Sequence, residues 1–280
     1  MIFERDVTMK KLVSVLSVLL MCALLLTSCA QKEAYDLYVE MNEAMLSVKS
    51  SDVTADVIVK MGTSEGDIDI SMKMDMQQIA RSETDIDLKM DMIMDLGEVG
   101  AEIGMPQMQM NMYFTGGWMY YDMMGQKIKM QIDLENAMEM VSFADVSAMS
   151  IDFEKEAVTN SSVKAVGENK ELSFTLNGDM LGDMLNQMAG EMMQGMGMGE
   201  NVSISFGDVT YTAVIGKDSL PKEEHMIFSI DMEFMVEGES EAATAEYDMK
   251  MTNNAFNSIE AIDFPSFDDY IEIDASMMGL

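Results

Sequence analysis

Residues 67 to 96 hold two long runs in which apolar and polar side chains alternate with scarcely an exception. In the first, Ile68, Ile70, Met72, Met74 and Met76 share one parity, and Asp67, Asp69, Ser71, Lys73 and Asp75 take the other. In the second, Ile86, Leu88, Met90, Met92, Met94 and Leu96 oppose Asp85, Asp87, Lys89, Asp91 and Asp95. A period of two belongs to an extended backbone, because successive side chains leave a pleated strand on opposite faces. These runs therefore predict strands with one dry, methionine-rich face and one wet, acidic face.

The pattern recurs along the chain. Val53 to Met61 alternates more loosely, and Met108, Met110, Met112 and Phe114 oppose Gln107, Gln109, Asn111 and Tyr113. Polar turns are expected at Gly62 to Gly66 and Gln77 to Glu83. Gly116-Gly117 and Gly125 punctuate two short strands, which reads as consecutive hairpins. From Ile151 to Leu176 the signal weakens, though Lys170 to Leu176 reads as a strand after a Gly167-Glu168-Asn169 turn; Val209 to Ile215, Met226 to Val236 and Ala245 to Met251 supply further strands. Only 3 prolines in 280 residues suits long, unbroken ladders.

Three segments repeat at three and four instead. Ala34, Leu37, Tyr38, Met41, Met45 and Val48 make one stripe of a helix over 33–49. Asp133 is a candidate N-cap for a second helix over 133–149. Met180, Met184, Met188 and Met192 place methionine at every fourth position of a third, over 179–193. No linker rich in Pro, Gly or Ser divides residues 33–280, so one α+β domain with an antiparallel sheet is expected.

The beginning of the chain points to the cell envelope. Lys10 and Lys11 precede an apolar run from Leu12 to Leu26, the layout of a secretory signal rather than of a spanning helix. The run ends in Leu26-Thr27-Ser28-Cys29, which resembles the lipobox of bacterial lipoproteins. That resemblance implies removal of residues 1–28, a diacylglyceryl group on Cys29, a tether over 29–32 and attachment to the extracytoplasmic face of the membrane. Met9 is a more natural start than Met1. Cys22 would leave with the signal, so the mature chain would keep no thiol for a disulfide or a zinc site. Ala30 bears on sorting only in a host with two membranes.

The charge restricts partners. With 50 acidic and 17 basic residues the net charge is -33, which repels nucleic acid and anionic surfaces. The acid ladders contain no Asp-x-Asp-x-Asp-Gly loop for Ca²⁺ and read as a solvated sheet face. No Gly-x-Ser-x-Gly elbow, P-loop or dinucleotide fingerprint is present, and the single His225 sits beside Glu223 and Glu224. No catalytic residue, metal site or cofactor is expected. Trp118, Tyr120 and Tyr121 either stack on a sugar or lipid ring or pack the hairpin.

Methionine, at 37 residues, admits three readings. Thioether side chains are flexible and polarizable, which suits the lining of an apolar cavity. Met-x-Met ladders also suit Cu(I), with Met196 and Met198 in a glycine-rich segment as the nearest candidates. Plain core packing is the third.

A lipobox, a helix, meandering antiparallel strands, an interrupting helical stretch and more strands resemble the layout of the LolA and LppX family of lipoprotein and lipid carriers. The Lys217 to Pro221 turn resembles that family's hairpin, with Ser219 where glycine is usual. Ile262-Asp263-Phe264-Pro265 resembles its C-terminal strand entry. The run from Gly117-Trp118-Met119-Tyr120 to Gln126-Lys127 is similar to a group of Gram-positive lipoproteins. The resemblance implies a strongly curved sheet, a half-open β-barrel, with helices covering its concave face and an apolar cavity between them. It suggests a non-catalytic lipoprotein that takes a lipid or acyl chain. The expected lining is Met72, Met74, Met90, Met92, Met110 and Met112 from the sheet. Met184, Met188, Phe228 and Met232 would complete it. The alternative is a structural or interaction lipoprotein with a solid core, its envelope partner unspecified.

Overall fold

The computed structural model describes residues 33–63, 66–82, 85–102, 104–132, 155–178, 202–236 and 239–274. Helix α1 covers 33–45. Strands β1 (Ser50–Thr63), β2 (Gly66–Ser82) and β3 (Asp85–Asp95) follow. After a short helix α2 (Gly97–Glu102) come β4 (Gln107–Thr115), β5 (Trp118–Met123) and β6 (Gln126–Gln131). The later strands are β7 (Val158–Val166), β8 (Asn169–Leu176), β9 (Val202–Phe206), β10 (Val209–Ile215), β11 (Pro221–Val236), β12 (Glu239–Phe256) and β13 (Ile271–Glu272).

All these strands belong to one sheet in the order β13-β6-β5-β4-β3-β2-β1-β12-β11-β10-β8-β7, with β9 paired to β11. Every pairing is antiparallel except the two-residue contact of β13 with β6. The sheet is strongly curved and its two ends do not meet, which is the half-open barrel of the expected α+β class. β9 and β10 lie against successive parts of β11, jointed at Gly207, whose N–H donates to the Ser229 carbonyl at 2.9 Å. A Cβ at that position would run into the Ser229 hydroxyl.

Register turns the alternation of each strand into continuous cross-strand rows. One row runs Met249, Val57, Met72, Met94, Met108 across β12, β1, β2, β3 and β4. The next runs Met251, Ala55, Met74, Met92, Met110, Met123 and reaches β5. A third carries Val53, Met76, Met90, Met112, Tyr121 and Ile128. α1 lies on this face with Ala34, Leu37, Tyr38 and Met41 buried, and Tyr38 meets Phe174 and Tyr211 edge-on at 5.6 and 5.8 Å. Removing this much apolar surface from water is the dominant stabilising term for the sheet.

Three expectations need correction. α1 stops at 45 rather than 49, because the Ser47 hydroxyl bonds back to the Ala44 carbonyl at 2.7 Å and the Lys49 N–H is drawn to Asn257 Oδ1 at 2.7 Å. No turn begins at Gln77: β2 runs to Ser82, its polar end held by Gln77 to Asp52 at 2.8 Å and Arg81 to Asp87 at 2.6 Å. Within the stretch that gave little signal lies β7, which forms a hairpin with β8 around Gly167. The helices expected over 133–149 and 179–193 lie outside the described residues.

The convex face is not wet throughout. Residues 258–274 cross it as a strap: Phe264 and Phe267 meet Tyr113, and Phe267 and Tyr270 meet Tyr120. Lys127 pairs with Asp269 at 2.8 Å, and β13 then adds to β6. Asp87, on the acidic parity, is buried and accepts from Thr115 as well as Arg81, both at 2.6 Å. Other acids of that parity, such as Asp69, Asp75 and Asp95, are exposed as expected.

Candidate functional site

The concave face has two zones. Under α1 and toward the ends of β4 and β6 it is solid: Met74, Met76, Met90, Met112, Met119 and Met130 are each 7 % exposed or less. Toward the other end of the same strands, Val59, Met72, Met94, Met110, Phe228 and Tyr247 pack against that core but stay only half-buried. Phe228 and Tyr247 stack there with centroids 4.7 Å apart and planes within 4°. Burial pushes the Tyr247 phenol above its ordinary value.

Of the expected lining, Met74, Met90, Met92 and Met112 therefore sit in the core, and Met72, Met110, Phe228 and Met232 at its half-buried margin. Met184 and Met188 lie outside the described residues, as do Met196, Met198 and Cys29. Tyr247 and Val59 were not singled out from sequence; their parity puts them on this face, but parity does not say how deeply a position is covered.

A cleft of about 180 Å³ opens where α1 gives way to β1, lined by Met45, Val48, Val53, Met76 and Phe256 and by the polar Lys49, Ser50, Ser51 and Gln78. Among the described side chains, the Glu224 carboxylate faces inward, since it shares the parity of Met226. It accepts from the Tyr211 hydroxyl at 3.0 Å and the Asn253 amide at 3.4 Å. Burial, and then the charge of Glu224, hold the Tyr211 phenol well above its ordinary value, so it stays protonated and donating.

The convex face offers less. His225 points outward, with Nε2 2.7 Å from Asp248 Oδ1, while Glu224 points inward. Tyr120 is spent on the strap, Tyr121 is turned to the concave face, and Trp118 lies under Lys129 Nζ at 5.4 Å. Among the described residues no group of three or more His, Cys, Asp or Glu could hold a metal ion. No helix among them is long and apolar enough to cross a membrane.

Several solved structures resemble this one. LprF from Mycobacterium bovis is similar at a TM-score of 0.43 and 11% identity, over 84% of this chain and 98% of its own. Lipovitellin, solved for its lipid–protein interactions, is similar at 0.36 and 11% identity, over 78% of this chain and 26% of its own. A putative outer membrane lipoprotein-sorting protein domain from Vibrio parahaemolyticus is similar at 0.24 and 6% identity, over 84% of this chain and 97% of its own. These likenesses are distant, and no function is carried over from them. No curated protein matches the sequence. The chain belongs to the family of unknown function DUF6612, whose model matches residues 33–267.

Proposed function

We propose that this protein is a lipoprotein of the bacterial cell envelope, anchored through Cys29, that binds a lipid or acyl chain on the half-buried part of its methionine face without covalent chemistry. The observation that carries the reading is the change of burial along single strands. On β3, Met90 is 1 % exposed whereas Met94, four residues on with the same parity, is only partly covered. A face built only for packing would be closed along its length; this one offers thioether and aromatic surface next to a solid core. Such surface is costly to leave in water and adapts to chains of different shape. The acidic convex face would keep the carrier soluble and unaggregated around that face.

The test is retention of a fluorescent fatty acyl probe by the full chain, compared with Met94→Glu and Met110→Glu. Each variant places a charge in the half-buried zone and leaves the solid zone intact. Loss of probe binding by tenfold or more in both, with the thermal transition kept, supports the reading; unchanged binding contradicts it.

The second reading, an interaction lipoprotein with a solid core, draws on the full burial of Met74, Met76, Met90 and Met112. It predicts no probe binding by the unaltered chain.

A further inference from the structure

The row of Met251, Met74, Met92, Met110 and Met123 leads out of the core. Met74 and Met92 are 6 % and 8 % exposed, Met110 is half-buried, and Met123, its partner across β4 and β5, is 44 % exposed. The next residue, Met124, is 57 % exposed at the tip of the β5–β6 hairpin. It has φ +53° and Gly125 has φ +83°, the pair of left-handed residues of a tight hairpin turn, where Asn-Gly is favoured and a long apolar side chain is disfavoured. The turn is otherwise well made: Gly125 N–H donates to Asp122 Oδ1 at 3.1 Å and Met124 N–H to the Gln109 carbonyl at 3.3 Å. Met105, exposed as well, leads into β4 at the same end of the sheet.

The β4–β5 hairpin that runs to this end departs from the charge of the rest of the chain. In a protein of net charge -33, residues 103–121 contain no Asp, Glu, Lys or Arg. Insertion into lipid costs least through a surface with few charges to desolvate. Asp122 is occupied with the turn, and Lys127 is paired with Asp269. Glu98 and Glu102 on the neighbouring α2 would confine contact to the hairpin tip and Met105 and favour uncharged lipid.

We propose that the Met123–Met124 tip, with Met105, inserts into the acyl boundary of an uncharged lipid surface. It would form the mouth by which an apolar ligand reaches the methionine face. The inference rests on the lipid-binding, membrane-anchored reading above and adds the place of contact. Exposed apolar side chains on a strained turn are unfavourable in water and favourable at such a boundary.

The experiment places an environment-sensitive thiol dye at position 124 in the full chain (Met124→Cys), reconstituted in phosphatidylcholine vesicles carrying spin-labelled acyl chains. The control position is Ile58→Cys, an exposed apolar site on the convex face. Quenching several-fold stronger at 124 than at 58, and lowered by adding Met105→Asp, supports the contact. Equal quenching at the two positions in an anchored chain overturns the contact alone. A chain that does not enter the vesicle fraction overturns both the contact and the anchor.

Discussion

Tyr120 of β5 stacks on Phe267 of the C-terminal strap with ring centroids 3.7 Å apart and planes within 14°. The pair closes an aromatic cluster with Tyr113, Phe264 and Tyr270 on a face that is otherwise mostly polar and charged. Stacked aromatic pairs are worth about 0.5–1.5 kcal/mol beyond the area they bury. Phe267→Ala is expected to lower stability by about 1–3 kcal/mol, seen as a lower urea midpoint, and to expose the chain after Asn257 to protease. An unchanged midpoint would show that the strap adds nothing to the sheet.

The same cluster makes stability depend on alkali. Burial, with neighbouring carboxylates, pushes Tyr113 and Tyr270 from 10.0 up to about 12, and burial does the same to Tyr121 on the concave face. Folding thus favours the protonated phenols. Their contribution is fully present below pH 10 and is lost as pH rises toward 12. Near-ultraviolet absorbance should show six of the eight tyrosines, these three with Tyr120, Tyr211 and Tyr247, ionising above pH 10, with the buried ones ionising together with unfolding. Titration of all eight near 10 in the folded protein would contradict this.

The two zones of the methionine face should differ in energy. Met90→Ala removes a side chain that is 1 % exposed and should cost about 2–5 kcal/mol through lost burial and a cavity. Met72→Ala, at the half-buried margin, should cost well under half as much. Denaturant midpoints of the two variants compare them directly, and equal losses would mean that the margin is as tightly packed as the core.

Much of this was legible in the sequence because alternation survives wherever one face is buried. Met72, Met74, Met90 and Met92 share a face as their parity requires, and the stripe of α1 meets that face. β7 gave little signal because an edge strand written Thr-Asn-Ser-Ser-Val-Lys buries too little to impose a period. Tyr113 and Tyr120 hold the polar parity, and nothing local announces that Phe267, far along the chain, covers them. Asp87 reads as one aspartate among many until Arg81 and Thr115 are seen to enclose it. Parity gives the face of a residue but not its depth, so the boundary between solid and half-buried methionine could not be drawn from sequence.

Replacing Cys29 tests the anchor independently of the fold. Cys29→Ala should move the protein from the membrane fraction to the soluble fraction of host cells. One acyl chain binds a membrane only marginally and two or more bind it stably, so the shift should be nearly complete. Continued sedimentation of Cys29→Ala with membranes would contradict lipidation at that residue.

On the proposed function, the half-buried zone around Met72, Met94, Met110, Phe228 and Tyr247 holds an apolar ligand. Native mass spectrometry of the protein purified gently from its host measures this most directly. The expected result is an added mass of lipid or acyl size, lost on organic extraction and absent from the Met94→Glu variant. A homogeneous mass of the acylated chain alone, with nothing further bound, would contradict it.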